Sequence, residues 1–319
     1  MAVGRRVVAG LLAAGAGGAL ALSGPASGHA DHAHHLVGPP NTLGTPLTGT
    51  LLDMAGPGRT YLCWAPPGAG LTNANTPWVH GDTIATDEIP HVEGRVRWAA
   101  ARYGITNSRA TRHLKGNGLP TTLTGEFPVR EGTAAYPYYA ALPAEGYANA
   151  AEIPIAPWDL DITIPRYPKP NRTPTCIAKL TLGVASSGAP WHVEIAPDAD
   201  FNLLNPSAGL PMDSCWGHPY ATQYHYHGAS WTCFAVRNKA GKHSPRVGYA
   251  IDGFGIYGIN GEGGKPVRNS DLDECHGHTH RIKWEGKWVS MYHYHLNAEY
   301  PYSIGCFRGT PAPLMKQVS

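Results

Sequence analysis

Charge is scarce in this chain. Only 15% of its 319 residues are Asp, Glu, Lys or Arg, and the 25 basic residues nearly balance the 23 acidic ones. Nothing in such a balance suggests a nucleic-acid surface, and no nucleic-acid partner is expected. Long apolar runs are missing too: beyond the N-terminal segment nothing reaches the roughly 18 residues of a membrane-spanning helix. There is no sustained helical periodicity; Trp98 to Tyr103 and the stretch near Glu145 to Glu152 are the only short candidates. No Cys-x-x-Cys pair occurs, so thiolate metal sites have no sequence support.

Gly (39) and Pro (29) are abundant, and 42% of residues are hydrophobic, including nine Trp and sixteen Tyr. That composition describes a turn-rich β protein with a sizeable core. The expected fold is mainly β: a single β-rich, sandwich-like domain with long loops, braced by disulfides, with an internal pseudo-duplication in its C-terminal half. Residues 1–30 read as an export signal, with Arg5 and Arg6 before the apolar run Val7 to Leu22; the paired arginines fit a twin-arginine route as well as the general one. A His-rich tail (His29, His32, His34, His35) and a Pro/Gly-rich segment follow to residue 75. The main domain is expected over 76–310 and a short tail over 311–319.

Within 31–75, a loose hairpin is expected around Leu51 and Tyr61. His91 to Trp98 alternates like a strand, Gly116 to Pro120 and Thr124 to Pro128 are turns, and Ile177 to Val184 is a strand. Tyr136 to Tyr139 and the Pro-dense stretch Pro154 to Pro174 read as irregular extended chain. Gly248 to Gly258 reads as strand, tight turn at Asp252-Gly253, and strand.

One motif is written twice. Asp213-Ser-Cys-Trp-Gly-His218 precedes Tyr224-His-Tyr-His227, and Asp273-Glu-Cys-His-Gly-His278 precedes Tyr292-His-Tyr-His295. Export makes the six cysteines disulfides rather than ligands. Because each unit runs Cys, Tyr-His-Tyr-His, Cys, the expected pairs are Cys215–Cys233 and Cys275–Cys306, leaving Cys63–Cys176.

On a strand, residues i and i+2 share a face about 6.5–7 Å apart, so both imidazoles of a His-x-His can reach one ion, whereas a helix would splay them. A single such alternation is more often a half-buried strand; two copies, each preceded by Gly-His, favour metal. The expected ligands are His225, His227, His293, His295, His218 and His278. Two units packed about a pseudo-twofold axis would bring the His pairs face to face, as one four-ligand ion or two three-ligand ions. Neutral imidazole suits Cu(II) and Zn(II), with copper favoured over zinc. Asp213 and Asp273 read equally as groups orienting an imidazole or as turn caps. Asp252 is a candidate general base or a turn residue. His276 and His280 could add ligands, whereas His192 and His243 are expected on turns outside the site, so that replacing His243 should leave bound metal unaltered.

At these residues the chain resembles the YHYH-domain family. The matching pieces include Asn117-Gly-Leu-Pro120, Thr124-Gly-Glu-Phe-Pro128, Asp213 to Pro219, Tyr224 to Gly228, Gly248 to Gly258, Leu272 to Thr279, Tyr292 to His295 and Tyr300 to Gly309, with Trp78-Val-His-Gly-Asp82 resembling an N-terminal extension. The resemblance spans roughly residues 76–310. It implies a secreted domain and underlines the His pairs without supplying a reaction. The chain departs from the family pattern where Trp216 and His276 stand in place of Asn, and Gly255 in place of Pro; Trp216 could alter access to the site and His276 could add a ligand. Three functions fit: a copper oxidoreductase acting on an extracellular substrate, a metal-dependent hydrolase with Asp252, Asp273 or Glu274 as base, or a non-catalytic metal-binding protein.

Overall fold

A computed structural model describes residues 42–44, 49–72, 74–141, 150–197, 202–234 and 241–313. The expected export signal, the His29–His35 tail and most of the C-terminal tail lie outside the described residues, all of which belong to the compact unit His35–Ser319.

The fold is mainly β and sandwich-like. Strands β1 (Thr42–Gly44), β2 (Val79–His80) and β3 (Thr83–Ala85) form a small sheet in the order β1-β3-β2. A second sheet joins β4 (Tyr103–Asn107), β5 (Thr111–Gly116) and β6 (Leu160–Pro165) in sequence. Strand β6 falls inside the stretch expected to be irregular: its alternating Leu160, Ile162 and Ile164 are buried and outweigh the surrounding prolines.

The largest sheet contains β7 (Thr181–Ala185), β8 (Pro190–His192), β11 (Gly217–Tyr220), β12 (Gln223–Tyr226), β13 (Arg246–Ala250), β14 (Gly255–Tyr257), β15 (Gly277–Trp284) and β16 (Lys287–His295). A two-stranded ladder, β9 (Ala196–Pro197) with β10 (Leu203–Leu204), accompanies it. Arg112 of β5 ties the second sheet to this one, stacking 4.2 Å from the Tyr249 ring and donating 2.7 Å to Glu285.

The order of the large sheet is β11-β12-β8-β7-β13-β14-β16-β15. Its halves repeat every pairing. β7 and β13 each pair antiparallel with the next strand, β8 and β14, which in turn lie parallel to the Tyr-His-Tyr-His strands, β12 and β16. Those strands close the halves as antiparallel hairpins with β11 and β15. Even the irregularity recurs, as a register shift between Thr181 and Gly183 and again between Arg246 and Gly248. The halves join where Val184 pairs with Tyr249, flanked by Gly248–Ala185 and Ala250–Gly183. A Cβ on Gly183 would strike the Tyr249 carbonyl, and one on Gly248 the Val184 carbonyl. The duplication is therefore larger than the repeated motif.

Other local expectations meet mixed outcomes. The Asp252-Gly253 turn joins β13 to β14, with Gly253 at φ 94°. The hairpin expected around Leu51 and Tyr61 is met in part: Leu62 N–H bonds Leu52 O, but Leu51 pairs with Gly70, and Leu62 bridges the distant Ile177. His91 to Trp98 is not a strand; it is extended chain held by bridges from Val92 to Asp213 and Val96 to Thr124. Tyr136 to Tyr139 lies in a short helix, α1 (Tyr136–Ala140), which Pro137 helps to start and whose Tyr139 is buried. A second short helix, α2 (Pro206–Gly209), is capped by Asn205. Trp98 to Tyr103 is not helical, and Ala150–Glu152 makes one 3-10 turn. All three expected disulfides are present, and no cysteine is free.

Candidate metal centres

Each half delivers its imidazoles through the same local device. In the first, the Asp213 carboxylate accepts from the backbone N–H groups of Cys215 (2.8 Å) and Gly217 (3.0 Å), from the Tyr224 hydroxyl (2.9 Å) and from Gly125 N–H (2.9 Å). In the second, Asp273 accepts from Cys275 N–H (3.0 Å), Gly277 N–H (3.1 Å) and the Tyr292 hydroxyl (2.9 Å). Both aspartates are thus turn caps that tie the Cys-x-Gly-His turn to the back of the His strand. Neither hydrogen-bonds an imidazole. Gly217 and Gly277 are needed there, since a Cβ would collide with the Tyr224 and Tyr292 hydroxyls. Burial pushes the Asp213 carboxyl up to about 6 and also raises Asp273, while the donated hydrogen bonds oppose the shift.

The residue between Cys and Gly has positive φ in both turns, 58° at Trp216 and 72° at His276. This is the left-handed region that Asn tolerates best after Gly, which accounts for the Asn of the family pattern. His276 adds no ligand: its ring nitrogens bond the His295 carbonyl and the Asn269 and Asn297 side chains, away from the cluster.

Register then sets the imidazoles. His218 pairs with His225, and His278 with His293. The tyrosines alternate onto the opposite face, where Tyr226 bonds Ser187 (2.9 Å) and Thr122 (2.8 Å) and Tyr294 donates to Asp252 (2.6 Å). Asp252, the candidate base, also accepts from the N–H groups of Gly309 and Phe254, and sits on this tyrosine face with neither imidazole group.

The imidazoles form two groups, not one. His218, His225 and His227 make the first; His243, His278, His280, His293 and His295 make the second, the ligand atoms of each group lying within 4.8 Å of one another. The expected face-to-face arrangement fails because the pseudo-twofold runs between β7 and β13, in mid-sheet. Four strands separate β12 from β16, a path on the order of 20 Å at the usual strand spacing.

Carbonyl partners fix the tautomer of one ring in the first group and of four in the second. A carbonyl can only accept, so each ring nitrogen facing one must carry the proton. His225 Nδ1 donates to Gln223 O (3.0 Å), and in the second group His293 donates to Met291 O (3.0 Å), His295 to Gly258 O (2.7 Å), His280 to Arg281 O (3.2 Å) and His243 to Ser244 O (2.7 Å). Their Nε2 atoms are left as acceptors. His225 Nε2 lies 3.1 Å from His227 Nε2, and His243 Nε2 lies 3.3 Å from His293 Nε2. The Nε2 atoms of His278, His280 and His295 are buried without a hydrogen-bond partner among the described residues. Burial holds His218, His225 and His295 well below the usual imidazole range, lowers His278 and His293, and brings His243 down to about 4. Neutral rings with converging lone pairs fit a metal ion.

Three participants escaped the sequence reading. His243, expected on a turn outside the site, belongs to the second group; it stands alone in sequence, and only the chain path brings it to His293. His192 lies not on a turn but on β8, stacked 3.8 Å from the His225 ring. Glu194, buried beside the first group, approaches His227 Nδ1 at 3.4 Å and accepts from Gly228 N–H (2.8 Å). The alternation Trp191-His-Val-Glu194 could have flagged the last two as neighbours on one face.

The topology, the duplicated turns and the paired imidazoles can now be set against known families. Residues 161–265 match the YHYH protein family. The YHYH segment holds the whole first group, Glu194, the Asp252 turn and His243, and ends before the second Tyr-His-Tyr-His. No curated protein and no solved structure matches the chain.

Proposed function

We propose that this is an exported metal-binding protein with two separate imidazole centres, copper being the resident ion ahead of zinc. The observation that carries the proposal lies in the second centre, where the Nε2 atoms of His243 and His293 approach to 3.3 Å. Both rings hold their proton on Nδ1 and are kept neutral by burial, so these lone pairs repel unless a cation lies between them. The 3.1 Å approach in the first centre accommodates either an ion or an N–H donated by His227. For one set of nitrogen donors, Cu(II) binds above Zn(II) in the general affinity order. Three disulfides support an oxidising compartment, and no helix among the described residues is long and apolar enough to cross a membrane.

The two centres suit different work. His218, His225 and His227 are all buried, which suits a bracing ion. His243, His278 and His280 are partly exposed, so the second centre can meet a substrate. A hydrolase would want a carboxylate base at the ion. Glu262 lies 3.5 Å from the outward Nδ1 of His280 and is itself exposed, and no carboxylate belongs to either imidazole group, which favours the redox reading over the hydrolytic one.

Elemental analysis and electron paramagnetic resonance of protein recovered after native export test the reading. The expected result is two ions per chain with a nitrogen-rich Cu(II) signal, halved by His225→Ala or by His293→Ala. Metal content at background, or unmoved by both substitutions together, would defeat it.

A further inference from the structure

The duplication supplies an internal control, because each position of one half has a counterpart in the other by register. Gly217, His218 and Tyr226 correspond to Gly277, His278 and Tyr294. Among the matched positions at which the halves differ, the second half carries His280 for Tyr220, Tyr257 for His192 and Arg246 for Thr181. His280 belongs to the second imidazole group, and Tyr257 and Arg246 line a cleft of about 380 Å³ that adjoins it and shares His243 as a wall. Arg281, Lys283 and Trp288 complete that wall.

Most cations among the described residues form no ion pair; what sets this cleft apart is that three of them line one opening. Arg112, Arg130, Arg166 and Arg308 are each matched by a carboxylate. Arg246, Arg281 and Lys283 form no ion pair among the described residues, although they are exposed and gathered around one opening. The Arg246 guanidinium is also positioned, lying 4.2 Å over the Tyr249 ring and 5.5 Å from Trp284. A planar donor held on aromatic faces matches a planar or tetrahedral oxyanion. Tyr257 and the 63% exposed Trp288 offer apolar surface for the body of such a molecule.

We propose that the cleft binds a small oxyanion-bearing molecule, its charge on Arg246 with Arg281 and Lys283 around it, and its other end toward the second imidazole group. Only the contact with a metal rests on the metal-binding reading; the contact with the cations does not. A carboxylate and a phosphate share the required chemistry. A carboxylate with an aromatic body would use Tyr257 and Trp288 as well, whereas phosphate would use the cations alone.

The test is calorimetric titration of the full exported protein with benzoate and, separately, with inorganic phosphate, in metal-loaded and chelator-stripped forms. Binding of at least one anion is expected, weakened tenfold or more by Arg246→Gln with metal content unchanged, and less by Lys283→Gln. Tighter benzoate than phosphate binding identifies a carboxylate; the reverse identifies a phosphate. If the protein takes up no metal, the metal-binding reading fails, and anion binding to the stripped protein still decides the cleft. No binding of either anion in either form overturns the proposal. So does binding that neither Arg246→Gln nor Lys283→Gln weakens in variants with a wild-type melting profile.

Discussion

The group of His218, His225 and His227 and the group around His293 hang on the same strand pairings, yet one is sealed and the other open. In the first, three buried imidazoles are joined by His192, stacked on His225, and by the Glu194 carboxylate. In the second, five imidazoles converge, three of them partly exposed, with no buried acid among them. The difference arises in the neighbours and not in the motif. β8 contributes an imidazole where β14 contributes a phenol, and the segment before β13 contributes His243. A repeated motif thus sets where ligands can stand, while the adjoining strands decide how many stand there and whether solvent reaches them.

Selective loss of one centre breaks this comparison most sharply. His225→Ala with His227→Ala should abolish metal at the first centre and leave the second, and His293→Ala with His295→Ala should do the converse, each read as metal per chain. Loss of both ions from either pair would mean that the centres are not independent. A smaller effect is expected from Glu194→Gln. Partners that orient a metal-bound imidazole typically contribute about 10–100-fold in affinity, so the first centre should weaken by that order and the second should not, as measured by competition with a chelator.

His243→Ala, which the sequence alone marked as silent, should now lower affinity at the second centre only. Removal of a turn cap should separate the halves by stability. Asp213→Ala strands four donors, so a loss of about 3 kcal/mol is expected in denaturant unfolding, against about 1–2 kcal/mol for the less buried Asp273→Ala.

The pH response is the smallest effect. The unfolded His243 ring takes a proton near its ordinary 6.5, whereas the folded one resists until about 4. The unfolded state therefore binds more protons at this ring between those values, and the ring's contribution to the stability of metal-free protein should fall as pH drops from 6.5 toward 4. The raised Asp213 carboxyl works in the opposite direction below about 6, so the ring is read from the difference between wild type and His243→Ala. A difference that does not change with pH across that window would contradict its burial.

Much of this was legible beforehand, for physical reasons. The three disulfides followed from the spacing of cysteines around the repeat, and the imidazole faces from period-two alternation. The Asp252-Gly253 turn followed from its residues. What could not be read was distance. Register within a hairpin is local, but the position of the pseudo-twofold depends on β7 pairing with β13, strands about sixty residues apart whose sequences do not name each other as partners. The expected face-to-face packing of the two His pairs failed there. His243 was hidden for the same reason, being a lone residue recruited by chain path. The roles of Asp213 and Asp273 were left balanced because a carboxylate near Gly-His can serve either turn or ring, and only coordinates reveal which donors it accepts.

The junction at Val184 and Tyr249 has one more consequence. Its contacts are reciprocal: Gly248 meets Ala185 as Gly183 meets Ala250, and each glycine admits the other half's carbonyl. That reciprocity is the signature of an isologous contact, the kind through which two identical subunits associate. A single half would expose this strand as an adhesive edge and would find its complement in a second copy of itself. Covalent linkage of the halves leaves them free to differ, one imidazole group staying shut while the other adjoins a cleft.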